Sequence, residues 1–155
     1  LVVISGPRDE RVVPYNSFHT GYRKTVLGPN ELIVRVVVPL PTPALQVFRK
    51  VGTRAAQAIS KVVVAFASDQ PRDGVLSNVR LAMGSIAAVP VRLPEVEVLI
   101  EDNPLTPHLA DRAGTLVEKS ISPIDDVRST ADYRRHAAGR VVRRILLDLI
   151  ATVPV

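Results

Sequence analysis

Three histidines, His19, His108 and His136, are the first residues to weigh as metal ligands or general bases. None stands three or four positions from another histidine or from a pair of carboxylates, so a helix would not gather them into one ligand set. The chain has no cysteine, which removes thiolate nucleophiles, iron–sulfur ligation and cysteine-type zinc sites together. That composition fits a reducing, cytoplasmic setting. A serine nucleophile fares no better, because Gly84-Ser85 lacks the second glycine of a nucleophile elbow and reads as a strand end turning into a loop. Asp125 and Asp126 are adjacent, so on extended chain they point apart and cannot share a substrate as acid and base. They are expected to accept bonds from nearby backbone or to pair with Arg128. Neither a G-x-x-x-x-G-K-[ST] nor a G-x-G-x-x-G pattern occurs, which leaves no loop for a pyrophosphate. No catalytic or metal-binding residue is therefore assigned.

Cationic chemistry is better represented. In "FHTGYRKTVLGPNELIVRVVVP", Tyr22, Arg23 and Lys24 stand ahead of a strand, a pattern open to two readings: a solvated loop, or a surface for a flat anionic partner. A net charge of +5 and a pI near 10.1 favour an anionic partner. Against nucleic acid stand an aromatic content of 4%, no tryptophan, and charge spread without runs. Only four of the 20 basic residues are lysine, a bias that a GC-rich genome produces unaided. On the basic helix "YRRHAAGRVVRRILLDL", with Arg134 at 0°, Arg135, Arg140, Arg143 and Arg144 fall at about 100°, 240°, 180° and 280°. They read as a solvated face, not a recognition stripe.

The elements that would position these groups follow from hydrophobic period and punctuation. Leu1–Ile4 reads as a short strand ended by Ser5-Gly6-Pro7, residues 8–30 as irregular chain, and Leu32–Val38 as a strand stopped by Pro39 and Pro41. Val47–Val51 suits a shorter strand. Ile59–Ala67 and Val75–Met83, joined by "SDQPRDG", form a hairpin whose second arm puts Val75, Val79, Leu81 and Met83 on one face and Leu76 on the other. After Pro90 the period becomes helical: Leu93, Val96 and Leu99–Ile100, then Thr106–Lys119 with Pro107 at its start. A long helix, capped by Ser129 or Thr130 and carrying the stripe Ala138, Val141, Val142, Ile145, Leu149, runs to about Ile150. Strands first and helices later give a two-layer α+β domain. No apolar run approaches the roughly 18 residues of a membrane-spanning helix. The chain begins without Met on a strand-like run and reads as a piece of something longer.

Four motifs occur in order: F-x-x-G-Y-R-K-T-x-L-x-P-x-E-L-I-x-x-V-x-x-P, F-R-K-V-G-T-R-x-x-x-x-I-S-K-V, V-R-L-A-x-G-S-x-A-x-x-P-x-R and D-x-R-S-T-A-x-Y-R-R. Together, over about residues 14–148, they make the chain resemble the flavoprotein subunit of molybdenum hydroxylases, the xanthine dehydrogenase and carbon monoxide dehydrogenase family. The resemblance is to the C-terminal lobe of that subunit. It implies a three-stranded antiparallel sheet flanked by helices, with residues 1–28 the tail of a preceding FAD-binding domain and 29–155 the lobe. It also implies a part in electron transfer: FAD shared with an N-terminal domain, and molybdopterin and [2Fe–2S] centres on partner subunits. Tyr22, Arg23 and Lys24 would then lie at the hinge between lobes.

Two cofactor-binding residues carry over from the resemblance. Ile33, after P-x-E-L, would pack on the flavin ring, and Lys50 would reach its edge. Each also has a plainer reading, as strand core and as a solvated cation. The family's glycine-rich pyrophosphate segments have no counterpart here, and Ala58 stands where several relatives carry Asp. The alternative reading is a stand-alone interaction or nucleic-acid-binding α+β domain without a cofactor.

Overall fold

The computed structural model describes residues 1–101 and 103–152, which divide by internal contacts into two units. Unit 1 holds Leu1–Thr42 with Ala88–Pro90, and unit 2 holds Pro43–Ala87 and the chain from Val91 onward.

In unit 1 a three-stranded antiparallel sheet has the order β2 (Glu10–Val13), β1 (Val2–Ser5), β5 (Leu32–Val36). The strand β2 was not expected, since its four residues alternate poorly and only Val13 is buried. Its pairing with β1 supplies what its own pattern lacks. A two-stranded ribbon, β3 (His19–Gly21) and β4 (Lys24–Thr25), follows a single 3-10 turn. Val2, Ile4, Val13 and Phe18 form the small core. Glu31 ties the turn before β5: it accepts from the Arg11 guanidinium at 2.8 Å and from the Gly28 amide at 2.6 Å. Those two bonds, the Arg11 bond first, hold its carboxyl down at about 2.

Unit 2 is a two-layer α+β arrangement, as the pattern required. Its antiparallel sheet runs β6 (Leu45–Gly52), β7 (Ser60–Ser68), β8 (Arg80–Gly84), with a two-residue fourth strand β9 (Val91–Arg92) at the edge. Three helices, α1 (Pro94–Glu101), α2 (Pro107–Ser120) and α3 (Ala131–Thr152), supply the other layer. Val62, Val64 and Phe66 of β7 and Leu81 and Met83 of β8 share one core with Val96, Ile100, Ala113, Val117, Val142 and Leu146 of the helices. Among the described residues, the opposite sheet face carries no helix of the unit.

Local chemistry explains the helix ends. Thr106 accepts from the Leu109 amide ahead of Pro107, and Thr130 accepts from the Tyr133 amide. In α1, Glu97 accepts from the Leu81 amide and Glu101 from the Val79 amide, at the edge of β8 that the short β9 leaves incompletely paired. Leu76 is buried in the same core as Val79 and Leu81, not on the opposite face. The reason is that β8 begins only at Arg80, so strand parity does not govern residues 75–79. Helices α2 and α3 cross at Gly114 and Gly139, where an added Cβ on Gly139 would lie 2.6 Å from the Gly114 carbonyl oxygen.

Candidate functional site

The chemistry-bearing side chains of unit 2 concentrate at one end of the sheet, where β6 ends, β7 begins and β8 ends. The register aligns Lys50 with Val63 and Val63 with Gly84, and pairs Gly52 with Ser60. Lys50, Val63 and Gly84 therefore share the uncovered face. Lys50 is exposed and forms no ion pair among the described residues.

The loop leaving β6 is organised by Arg54, whose guanidinium donates to the carbonyls of Ala56 at 3.0 Å and Gln57 at 2.5 Å. Gln57 has a φ of 49° and Ser85, past β8, a φ of 64°, both in the left-handed region that costs a side-chain-bearing residue free energy. Ser85 is held there from two sides. Its hydroxyl shares a 2.8 Å hydrogen bond with that of Ser60, and its carbonyl accepts from Arg134 at 2.7 Å. Gly84 turns the strand as expected from Gly84-Ser85, but the loop it opens is anchored.

Arg134 is the anchor. It is 4% exposed and donates to the carbonyls of Lys61 and Ser85 and to the Asp126 carboxylate at 2.7 Å. Asp126 also accepts from the amides of Arg128 and Ser129 and pairs with the Arg128 side chain. The Arg128 amide leads, with Arg134 next among the favourable contacts, in holding the Asp126 carboxyl at about 2. Asp125 accepts from the Ala131 amide, so both aspartates serve the backbone, as their adjacency suggested. Lys61 lies 4.9 Å from the Tyr133 ring centroid, a cation–π contact on the same side.

Arg134 does not belong to the solvated face expected of the basic helix. Its 0° position adjoins the buried stripe, since Ile145, Ala138, Leu149 and Val142 stand at about 20°, 40°, 60° and 80°. Comparing the arginine angles with the stripe, not only with each other, exposes that signal. Arg135, Arg143 and Arg144 do face outward, paired with Asp132, Asp111 and Asp148.

Ile33 belongs to unit 1, on β5 opposite Ile4, and is 47% exposed. Within the described residues Ile33 is not part of the unit 1 core: every residue of β5 is exposed, Leu32 at 73%. Tyr22 and Arg23 form the turn of the β3–β4 ribbon, with Arg23 at φ 55° and 5.3 Å from the Tyr22 ring. They lie within unit 1, while the units divide between Thr42 and Pro43.

In unit 2 the exposed Lys50 presents a cation on the uncovered sheet face. A cation there suits the edge of a flat group that gains negative charge, such as an isoalloxazine ring. Among the described residues no group of three or more His, Asp and Glu could hold a metal ion, and no helix is long and apolar enough to cross a membrane.

A family model described as the CO dehydrogenase flavoprotein C-terminal domain matches residues 47–149. The xanthine dehydrogenase FAD-binding subunit of Escherichia coli O157:H7 is 29% identical over 151 residues, covering 96% of this chain and 51% of that protein. The carbon monoxide dehydrogenase medium chain of Hydrogenophaga pseudoflava is 26% identical over 149 residues, covering 93% and 50%. The solved carbon monoxide dehydrogenase from Hydrogenophaga pseudoflava, in a form lacking the Mo-pyranopterin moiety, superposes with a TM-score of 0.81 at 25% identity over 97% of this chain and 52% of that one. The chain spans about half the length of the curated relatives it matches.

Proposed function

From the premise that this chain belongs to the CO dehydrogenase flavoprotein C-terminal domain family, we propose that it is part of the FAD-containing electron-transfer subunit of a molybdenum hydroxylase, of the xanthine or carbon monoxide dehydrogenase type. In this reading residues 1–28 are the tail of the preceding FAD-binding domain and 29–155 the lobe that forms one wall of the flavin site. The FAD is shared with that N-terminal domain, and the molybdopterin and [2Fe–2S] centres reside on partner subunits. FAD, when bound, supplies the redox chemistry; the residues of this chain hold and tune it.

The observation that carries the reading is Lys50, a cation without a counter-ion among the described residues, on the uncovered end of the sheet. An ammonium at a flavin edge favours added negative charge by Coulomb attraction. Ile33 contributes aliphatic surface that excludes water from a ring face. The Arg134 clamp fixes Ser85 and the start of β7, and so the end of the sheet from which Lys50 projects. None of these residues needs to exchange a proton. The chemistry of the assembly lies in electron transfer between its cofactors, and this chain by itself is not assigned a reaction.

Flavin binding tests the proposal. Titration of residues 1–155 with FAD, followed by flavin fluorescence, is expected to give no tight complex, whereas the full-length subunit binds and loses affinity with Lys50→Ala. Equal affinity of the full-length subunit and its Lys50→Ala variant would contradict the assignment of Lys50.

A further inference from the structure

Asp73-Gly74 is the single Asp-Gly pair of the chain, and no Asn-Gly occurs. In such a pair the glycine amide nitrogen, unshielded by a side chain, can attack the aspartyl side-chain carboxyl. Water leaves and a five-membered succinimide ring forms. Hydrolysis then returns the water at either ring carbonyl. Opening at the side-chain carbonyl restores aspartate. Opening at the main-chain carbonyl leaves the chain running through the side chain, as isoaspartate. The sequence balances with water as the only co-reactant.

The fold sets these two residues at the centre of a two-residue hairpin turn. Arg72 and Val75 exchange both backbone hydrogen bonds, each of 2.9 Å. The φ values, 51° at Asp73 and 72° at Gly74, are those of a type I′ turn. Access does not limit the reaction. Asp73 is exposed and has no ion pair among the described residues. No atom lies within 4 Å of where a Cβ on Gly74 would stand. Geometry does limit it. A type I′ turn holds ψ of its first central residue at about +30°, which turns the Gly74 nitrogen about 150° from Cβ around the Cα–C bond. Ring closure needs that nitrogen on the same side as Cβ.

Three contacts keep the loop in place. The Gly74 carbonyl accepts from the Leu105 amide at 2.7 Å, next to the Thr106 cap of α2. The Asp69 amide donates to the Ser77 carbonyl at 3.0 Å, and the Asn78 side chain donates to the Asp69 carboxylate. Leu76 and Val79 anchor the return arm in the core. The tip itself is an isolated bridge outside any strand, so it can open while the sheet stays intact.

We infer that Asp73-Gly74 is a masked isoaspartate site, inert while the turn is closed, reactive when it opens, and unable to reclose once converted. Isoaspartate adds one carbon to the main chain between the two residues. A two-residue turn cannot absorb that carbon and keep both the Arg72–Val75 pair and the Gly74–Leu105 bond.

Peptide mapping of the full-length subunit in its assembly tests the site, with electron-transfer fragmentation to tell isoaspartate from aspartate at equal mass. A free peptide of residues 69–78 is the reference. At neutral pH the assembly should gain isoaspartate at position 73 at least tenfold more slowly than the peptide. In guanidinium chloride strong enough to unfold the subunit, the two rates should agree within twofold. Leu105→Pro, which removes the amide that holds the Gly74 carbonyl, should raise the native rate at least threefold; the denaturant comparison stands without it should the variant not fold. Hydrogen exchange at the Arg72, Val75 and Leu105 amides should be at least tenfold faster in the isolated isoaspartyl form than in the aspartyl form. A native rate equal to that of the peptide would overturn the inference. So would a rate that stays slow after unfolding, a folded Leu105→Pro reacting at the parent rate, or amide protection unchanged by conversion.

Discussion

Replacing Gly139 by alanine tests how α3, and with it the Arg134 clamp, is held against α2. A Cβ at position 139 would lie 2.6 Å from the Gly114 carbonyl oxygen and 2.6 Å from Glu118 Cγ. Glu118 can swing away, but the carbonyl belongs to the α2 backbone. To reach the 3.0 Å that Cβ contacts essentially never go below, the helices must part by several tenths of an ångström, loosening Ala110, Ala113 and Ala138 in the shared core. Overpacking of this kind costs about 1–3 kcal/mol, and the better helix propensity of alanine returns about 1 kcal/mol. The expected net loss is about 0–2 kcal/mol, toward the upper end because the clash is with backbone. At Gly114 the corresponding Cβ would lie 2.9 Å from the Gly139 carbonyl oxygen, so Gly114→Ala should cost less. One separation relieves both clashes, so the double variant should lose about 1 kcal/mol less than the sum of the singles. Urea unfolding followed by circular dichroism, with the slope unchanged, measures all three. A stabilising Gly139→Ala, or strict additivity, would refute the close crossing.

Other expectations concern the clamp and the core. Arg134→Ala, which strands Asp126 and two carbonyls, should destabilise by about 3 kcal/mol, and Arg134→Lys should recover only part because one ammonium cannot span three acceptors; thermal melts of the two variants check this. Asp126 and Glu31, with carboxyls at about 2 in the fold, should each contribute stability that is fully present above the ordinary carboxylate range near pH 4. That contribution is lost as pH falls toward 2. Acid titration of Asp126→Asn should therefore show a shallower loss between pH 4 and 2 than the parent. Leu81→Ala, at a fully buried site in the sheet–helix core, should cost about 2–5 kcal/mol in the same urea assay.

Periodicity made most of unit 2 legible. The α2 start at Thr106-Pro107 and the α3 stripe are local signals, since capping and amphipathic spacing act within a turn or two. β2 escaped because its stability comes from pairing with β1, a contact that its own four residues do not encode. Leu76 was placed on the wrong side because alternation was extended past the residue where the strand starts. Arg134 was hidden by its type: an arginine at the edge of the buried stripe is satisfied by Lys61, Ser85 and Asp126, partners 73, 49 and 8 positions away. Ile33 and Lys50 came from ordered motifs and not from spacing or charge. The uncovered face that Lys50 shares with Val63 and Gly84 could be read only from the register of β6, β7 and β8.

The most direct test of the central claim is the midpoint potential of FAD bound to the full-length subunit, with Lys50 against Lys50→Met. Methionine keeps the length and apolar stem of the side chain and removes the charge. If Lys50 stands at the flavin edge, the potential should fall by about 20–40 mV, the size of one partly screened charge acting on a two-electron couple, with FAD still bound. An unchanged potential in a subunit that retains its flavin would contradict the placement of this lobe at the flavin edge.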